Sequence, residues 1–365
     1  MSIEMSRRDL LCRCANGFGG LALAAIASSE SLRAASGHAV NPLAVQPTHF
    51  PAKAKSVIFL YMDGGPSQVD TFDPKPLLAR DHGKPLPIKA PPTQFNDNGN
   101  ILGSPWKFSK HGQCGADVSE LFPHVATCVD EMAIVRSMVA DNSEHTAANY
   151  MLHTGFAIQG RPSMGAWLTY GIGCESDNLP AFVVLDSGLI PAGGMDNFGS
   201  GFLPAAYQGT LFRPGPHPIS NVEPREAQPE LQKTKLALLR KLNRGAVARL
   251  GELTELEAAI SNYELAYRMQ SAVPELIDLG KETQATLDLY GMNEPETAAF
   301  GRQCLMARRL VERGVRFVEC LTPKLRGHDR WDQHGRLLEG HRDNARATDK
   351  PIAGLLKDLK SRGLL

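Results

Sequence analysis

Three short runs of apolar residues constrain the fold of this 365-residue chain more than any other feature. The runs are Val57–Tyr61, Ala181–Leu185 and Val315–Cys320. Short continuous apolar runs are typical of strands that are buried on both faces of a parallel sheet. Segments with helical spacing separate the runs, and alternating strands and helices favour right-handed crossovers between parallel strands. The sequence therefore predicts an α/β fold, a mostly parallel sheet sandwiched by helices.

Helical spacing of apolar residues predicts the layers around this sheet. Two helices are expected within Gln228–Ala272, and a helical cap segment is expected over about 228–313. One face of a last long helix is marked by Leu338, Leu355 and Leu359. Asp186–Pro224 is rich in Gly, Pro and Asn, which predicts a long irregular loop. Further predictions are helices at Val118–Met132, His145–His153, Met164–Tyr170 and Ala298–Arg313, and a short strand at Ala133–Arg136.

The first residues have the composition of an export signal. Arg7 and Arg8 stand in Ser-Arg-Arg-Asp-Leu-Leu, ahead of a Gly- and Ala-rich run from Gly17 to Ala27. This run is shorter than the about 20 apolar residues of a membrane span, and the alternative is an ordinary basic helix start. We predict a twin-arginine signal peptide at 1–35, a linker at 36–55 and a folded domain at 56–365. The expected partner is the twin-arginine translocation machinery, the expected location is the periplasm or cell surface, and no stable membrane span is expected.

Composition argues against two classes of protein. Lys plus Arg and Asp plus Glu both number 39, so the chain lacks the excess of basic residues that nucleic-acid binding requires. Cys12 and Cys14 belong to the predicted signal, and the odd number of remaining cysteines cannot all pair. Cys304 and Cys320 have apolar neighbours and are predicted to be buried free thiols. We expect neither a nucleic-acid partner nor a disulfide scaffold.

The first candidate for a functional site is the turn after the first apolar run. Asp63 opens the sequence Asp-Gly-Gly-Pro-Ser, and Ser67, Asp70 and Asp73 follow closely. Ligands of open α/β sheets bind beyond the carboxyl ends of the strands, and a carboxylate there can hold Zn²⁺, Mg²⁺ or Ca²⁺. The alternative is structural, because Asp also caps turns and helices. Both roles remain open for Asp63 and Asp70.

The second candidate is Trp331-Asp332-Gln333-His334, which follows the run Val315–Cys320. Asp332 and His334 are two residues apart, so an extended backbone directs both side chains to the same side. One metal ion can then bind both. In the alternative, Asp332 caps the next helix and His334 lies on the wet surface.

The third candidate is the segment that opens the predicted helix at His145. Backbone amides at a helix start bind phosphate or sulfate, which would place Ser143, His145 or Thr146 near the anion. In the alternative, Ser143 is only an N-cap and His145 lies on a solvated first turn.

These segments together resemble a planctomycete-type family of exported bacterial proteins known as domain of unknown function 1501, which is often labelled sulfatase-like. Besides the signal, the matching stretches are Ile58–Pro76, Ser104–Phe108, Ser119–His124, His153–Gly155, Gly199–Pro204 and Trp331–Gly335.

The resemblance implies an alkaline-phosphatase-like fold within the alkaline phosphatase and sulfatase superfamily, with two metal sites and a nucleophile between them. It implies that Asp63, Asp332 and His334 bind a divalent metal, namely Zn, Ca or Mg. It places Ser143 or Thr146 near the nucleophile, beside His145. The expected activity is hydrolysis of phosphate or sulfate esters of small molecules or glycans.

Two departures from the relatives modify this expectation. Cys304 is followed by Met306 and Arg308, which is not the pattern of a formylglycine sulfatase. The relatives continue with a Gly-Glu-Phe-Gly-Arg-Thr-Pro segment and a His-rich segment that supply further ligands. The resemblance thus implies a fold incomplete at the C-terminus and an inactive or impaired enzyme.

The alternative function is that of a non-catalytic exported protein that binds glycans or envelope partners. Trp106, Trp167 and Trp331 are candidate sugar contacts, and buried packing is the competing role for each.

Overall fold

A parallel β-sheet forms the centre of the computed structural model, which describes residues 41–89, 99–220, 228–250, 254–323, 325 and 330–365. Its strands are β1 (Val57–Tyr61), β4 (Phe182–Leu185), β5 (Thr210–Phe212) and β6 (Phe317–Leu321). Within the described residues the sheet has four strands in the order β1-β6-β4-β5, and every pair is parallel. A separate antiparallel pair consists of β2 (Phe108–His111) and β3 (Ala116–Ser119).

The helices fall into two groups along the chain. The first group is α1 (Gln68–Thr71), α2 (Pro76–Arg80), α3 (His145–Thr154) and α4 (Met164–Ile172). The second is α5 (Pro229–Leu250), α6 (Thr254–Ile277), α7 (Gln284–Leu289), α8 (Ala298–Glu312) and α9 (Leu337–Ser361). Short 3₁₀ helices lie at Val125–Glu131, Gly194–Phe198 and Ala205–Tyr207.

Successive residues of a strand point to opposite faces of the sheet. Both faces of this sheet carry apolar side chains, and helices cover both. Val318 and Cys320 of β6 belong to the larger apolar core, which also contains buried residues of α8 and α9. Phe317 and Leu321 belong to a smaller core on the other face, where α4 contacts β6 and β4. The prediction of a parallel sheet flanked by helices is confirmed.

The first strand is less buried than its apolar sequence predicts. Val57 is 39% exposed, and only Tyr61 of this strand is buried. The reason is its place in the described sheet, since β1 lies at an edge and pairs only with β6.

Three local predictions are wrong, because a strand forms only where a partner strand pairs with it. Residues 132–140 have no regular structure; Val135 of the predicted strand Ala133–Arg136 is exposed and finds no partner strand among the described residues. The predicted helix Val118–Met132 divides into the end of β3 and a 3₁₀ turn. The predicted loop Asp186–Pro224 contains β5, whose three residues pair with β4.

The other predicted helices are confirmed with small shifts at their ends. Gln228–Ala272 forms the long helices α5 and α6, and the last predicted helix is α9. Cys304 and Cys320 are fully buried free thiols, as predicted. The predicted signal at 1–35 lies outside the described residues, and across those that are described no helix combines the length and apolar character that crossing a bilayer demands.

Candidate metal centre

Three side chains with metal-binding atoms converge at the end of the sheet where the strands have their carboxyl termini. Nε2 of His145 and Nε2 of His334 each lie 3.0 Å from Oδ2 of Asp332. Their ligand atoms all lie within 4.8 Å of one another. His145 and Asp332 are 187 residues apart, so only the tertiary structure brings them together. We call this group the His-Asp-His cluster.

Two segments of different kinds position the cluster. His145 is the first residue of α3, whose start is stabilised by the Glu144 side chain, which accepts a hydrogen bond from the Ala147 amide at 3.0 Å. Asp332 and His334 lie between β6 and α9, after the strand that the sequence predicts at Val315–Cys320. Exposed fractions of 49%, 33% and 64% for the side chains of His145, Asp332 and His334 leave the cluster open to solvent.

The donor atoms of the cluster suit a transition metal. Two imidazole nitrogens and one carboxylate oxygen are a common ligand set for Zn²⁺, whereas Ca²⁺ and Mg²⁺ prefer oxygen ligands. Both imidazoles already point at the same carboxylate oxygen, so a cation can replace the shared hydrogen bonds with little rearrangement. Of the metals expected from the sequence, Zn²⁺ therefore fits best.

The turn after β1 packs directly against this centre. The Trp331 amide donates a hydrogen bond to the Asp63 carbonyl oxygen at 3.1 Å. Gly64 has a φ of +92°, and a Cβ atom at this position would lie 2.5 Å from the Asp332 backbone nitrogen. Only glycine allows both this backbone conformation and this approach.

Asp63 lies beside the cluster but outside it. Its Oδ2 accepts a hydrogen bond from Nη1 of Arg330 at 2.9 Å, and its Oδ1 accepts one from the Tyr61 hydroxyl at 3.1 Å. Burial lowers the pKa of the Arg330 guanidinium, and the nearby charge of Asp63 opposes that shift. Metal binding by Asp63 stays a prediction, because both carboxylate oxygens already have partners in the chain.

A second polar network lies beneath Tyr61, on the sheet face that carries the smaller core. The Tyr61 hydroxyl also contacts Oδ1 of Asn149. His153 joins Glu319 of β6 through Nε2 at 2.8 Å, and both side chains are almost fully buried. Burial opposes the charged form of His153, but the Glu319 carboxylate outweighs this effect and raises the pKa of His153. The sequence signal for this network was a Glu within an apolar strand, since buried charges are rare without a partner.

Ser143 and Thr146 lie at the start of α3, next to His145. Ser143 is exposed, and Glu144 rather than Ser143 is the N-cap. Hydrogen bonds from the backbone amides of Thr146 and Ala147 lower the pKa of Glu144. A carboxylate of the chain itself thus occupies amides that were expected to receive an anion, and the roles of Ser143 and Thr146 stay predictions.

His341 is a residue of this region that sequence reasoning missed. It lies on the first turns of α9, and its ring stacks on Trp106 and meets Trp331 edge-on. Its Nε2 accepts a hydrogen bond from the Ser67 amide at 3.0 Å, and its Nδ1 lies 2.6 Å from Oε1 of Gln333. His341 therefore links the β1 turn to the segment that carries Asp332 and His334.

The three tryptophans have different environments. Trp106 and Trp331 are buried around His341, so packing accounts for both. Trp167 is 45% exposed and touches the exposed rings of Tyr170 and Phe202 edge-on.

Comparison with known proteins supports the family resemblance and adds no function. Neither a curated protein nor a solved structure matches the chain. The family model described as "Protein of unknown function (DUF1501)" matches residues 54–365, which is most of the chain. A match of this extent, over the sheet, the helices and all three cluster residues, means that the chain belongs to the DUF1501 family.

Proposed function

We propose that this chain is a metal-dependent hydrolase of phosphate or sulfate esters, with small-molecule or glycan esters as substrates. The observation that carries the proposal is the His-Asp-His cluster, in which ligands from segments 187 residues apart converge. A purely structural role does not explain why two solvent-exposed imidazoles share one carboxylate oxygen. The place of the cluster, beyond the carboxyl ends of parallel strands, is where α/β enzymes bind their ligands.

The proposal includes an alkaline-phosphatase-like fold. It is supported by a parallel sheet with helices on both faces and by potential metal ligands that follow β1 and β6. Asp63, which follows β1, is the candidate ligand of a second metal. That role requires the Asp63 carboxylate to exchange its contacts with Arg330 and Tyr61 for a cation.

The residues of the centre divide the chemical work. His145, Asp332 and His334 would hold the cation, and their exposure leaves coordination positions for substrate and water. Zn²⁺, when bound, supplies Lewis-acid stabilisation of the charge that develops on the ester oxygens. Arg330 adds a buried positive charge that is partly neutralised by Asp63.

We further propose that the protein is exported through the twin-arginine machinery to the periplasm or cell surface. The support is the sequence Ser-Arg-Arg-Asp-Leu-Leu at positions 6–11. This route carries folded proteins, which suits a chain that acquires its metal before export.

Loss of one cluster imidazole should abolish tight metal binding. We expect the wild-type chain, stripped with a chelator, to bind Zn²⁺ in calorimetry, and His334→Ala to bind it at least about 100-fold more weakly. Zn²⁺ at a hundredfold excess over its Kd should raise the free energy of unfolding by about 2.7 kcal/mol, a gain that chelation reverses. His49→Ala, which removes an exposed imidazole outside the cluster, serves as the matched control.

The same wild-type and variant proteins serve to test the activity. Zn²⁺-loaded wild-type protein should hydrolyse p-nitrophenyl phosphate or p-nitrophenyl sulfate, and His334→Ala should lose this turnover. Equal Zn²⁺ affinity in wild type and His334→Ala, or no turnover of either ester by the loaded protein, would refute the proposal.

A glycan-binding protein without catalysis is the second candidate function. It is supported by the exposed rings of Trp167, Tyr170 and Phe202, since aromatic faces pack on sugars. No turnover, together with a glycan-induced change of tryptophan fluorescence that Trp167→Ala abolishes, would favour this function over the hydrolase.

A further inference from the structure

Ser67 stands at the start of α1 but does not cap it in the usual way. A serine at this position normally accepts a backbone amide hydrogen bond through its hydroxyl oxygen. Here the Asp70 amide bonds to the Ser67 carbonyl oxygen, and the hydroxyl makes no cap contact. The hydroxyl instead donates to Oδ2 of Asp70 at 2.6 Å. The Ser67 hydroxyl proton is thus directed at a carboxylate. The lone pairs of the hydroxyl oxygen accept no backbone amide of α1.

Asp70 has the properties of a general base. Its side chain is buried, with 4% of the residue exposed. Oδ1 has no hydrogen-bond partner within the described part of the chain, so the carboxylate retains capacity to accept a proton. A buried carboxylate with an unused oxygen is costly, which a purely structural role does not explain. Nucleophile and base within hydrogen-bond reach are the signature of an activated hydroxyl.

Two connections hold Ser67 close to the His-Asp-His cluster. The first is the chain itself, because Gly64 packs against the Asp332 backbone, and Ser67 is three residues from Gly64 and so at most about 11 Å from Gly64. The second is His341, which accepts the Ser67 amide and contacts Gln333, the residue between Asp332 and His334. Ser67 is only partly buried, which attack on a substrate requires.

We infer that Ser67 is the nucleophile and Asp70 its general base, an inference that rests on the proposed hydrolase function. Oγ of Ser67 bonds to the phosphorus or sulfur atom, its proton moves to Oδ2 of Asp70, and the ester bond to the leaving oxygen breaks. An aryl leaving group departs as a phenolate, which takes a proton from solvent. Water then attacks the phosphorus or sulfur atom and loses a proton to solvent, the bond from that atom to Oγ of Ser67 breaks, and Asp70 returns its proton to Oγ.

The geometry favours Ser67 over the candidates drawn from the family resemblance. Ser143 is exposed, and the adjacent carboxylate of Glu144 is already bonded to amides of α3. Thr146 donates one of those amides. The Thr146 hydroxyl also bonds to the Glu144 carboxylate, but that carboxylate is exposed and already accepts two backbone amides, whereas Asp70 is buried and has one oxygen without a partner in the described chain.

Trapping of the covalent intermediate tests the inference. The full Zn²⁺-loaded chain is incubated separately with p-nitrophenyl phosphate and p-nitrophenyl sulfate, quenched in acid and digested for peptide mass spectrometry. We expect one phosphoryl or sulfuryl group on Ser67, and the arm that labels identifies the ester class. Ser271→Ala, which removes an exposed hydroxyl on α6, should keep both label and turnover, whereas Ser67→Ala should lose the label and at least about 100-fold in kcat.

Asp70→Asn separates the chemical role from a folding defect. The asparagine side chain can still accept the Ser67 hydrogen bond, but it cannot take the proton. We expect a loss of about 10²- to 10⁴-fold in kcat with an almost unchanged KM. If urea denaturation shows that Ser67→Ala is unfolded, the kcat and KM of Asp70→Asn decide the test.

The outcomes distinguish this inference from the function on which it rests. Turnover with a label on another residue, no label on Ser67 in either arm, or wild-type kcat in Asp70→Asn would overturn the inference and leave the hydrolase function intact. Absence of both Zn²⁺ binding and turnover in the wild-type chain would overturn both.

Discussion

The surroundings of His341 hold its imidazole in the neutral form. Nε2 accepts the Ser67 amide, so the ring proton must be on Nδ1, from which it can reach Oε1 of Gln333. Burial lowers the pKa of His341, and the charge of Asp70 only partly opposes this shift. A second ring proton would turn Nε2 into a donor that faces the Ser67 amide. Because that amide is also a donor, the hydrogen bond between them would be lost.

Stability should therefore decrease in acid because of His341. Its pKa in the folded state lies below the unfolded value of about 6.5, so the unfolded chain takes up the proton first as the pH falls. The contribution of the neutral ring is complete above about pH 6.5 and is lost below it. His341→Gln, which can keep both hydrogen bonds, should flatten the fall in the free energy of unfolding between about pH 7.5 and pH 5.5.

Urea denaturation across this pH range measures the effect. Ser271→Ala, which changes no titratable group, should keep the wild-type slope. Parallel slopes for wild type and His341→Gln would show that the ring is not held neutral.

At the scale of elements, the β1 turn is the part that joins the sheet to the candidate centre. Gly64 and Gly65 both have positive φ, at +92° and +73°. They differ in their surroundings, because a Cβ on Gly64 would collide with the Asp332 backbone, whereas a Cβ on Gly65 would meet nothing within 4 Å. The two positions therefore separate backbone strain from steric contact.

Gly64→Ala should be more harmful than Gly65→Ala. Each substitution forces a residue with a side chain into a left-handed conformation, at a cost of about 1–3 kcal/mol. Gly64→Ala must also push Asp332 away, so we expect a larger loss of stability and weaker Zn²⁺ binding. Urea denaturation and calorimetry measure the two effects, and equal losses in both variants would contradict this account of the turn.

At the scale of the whole molecule, α9 is anchored to the first half of the chain by Asp349. Its carboxylate accepts hydrogen bonds from the amides of His124 and Val125, at 2.8 and 2.7 Å, where a 3₁₀ turn begins. The residues are more than 220 positions apart in sequence. Burial raises the pKa of Asp349, and these two amides act in the opposite direction.

Asp349→Ala should loosen this contact and lower the free energy of unfolding by about 2–4 kcal/mol, since one buried and one partly buried amide lose a charged acceptor. Asp349→Asn keeps one acceptor oxygen and should lose less. Chemical denaturation followed by circular dichroism measures both variants. A loss in Asp349→Asn equal to that in Asp349→Ala would show that the hydrogen bonds are not the source of the stability.

Local pattern was sufficient for much of the fold and for two of the three cluster residues. The apolar runs around β4 and β6 predict strands because a continuous apolar segment is stable only where both faces are covered. The two-residue spacing of Asp332 and His334 predicts that both face the same side, which agrees with their shared contact. The local apolar pattern did not indicate β5, a strand of three residues that depends on pairing with β4.

The sequence by itself therefore determined the α/β class, the long helices, the DUF1501 membership and the pairing of Asp332 with His334. Only the tertiary structure decided that His145 completes the cluster, that Arg330 holds Asp63, and that Glu144 occupies the amides of α3. The physical reason is the distance in sequence between the residues that interact. Strand and helix patterns reflect burial of neighbouring residues, whereas partners of charged side chains are chosen among groups that the folded sheet edge brings together from distant segments.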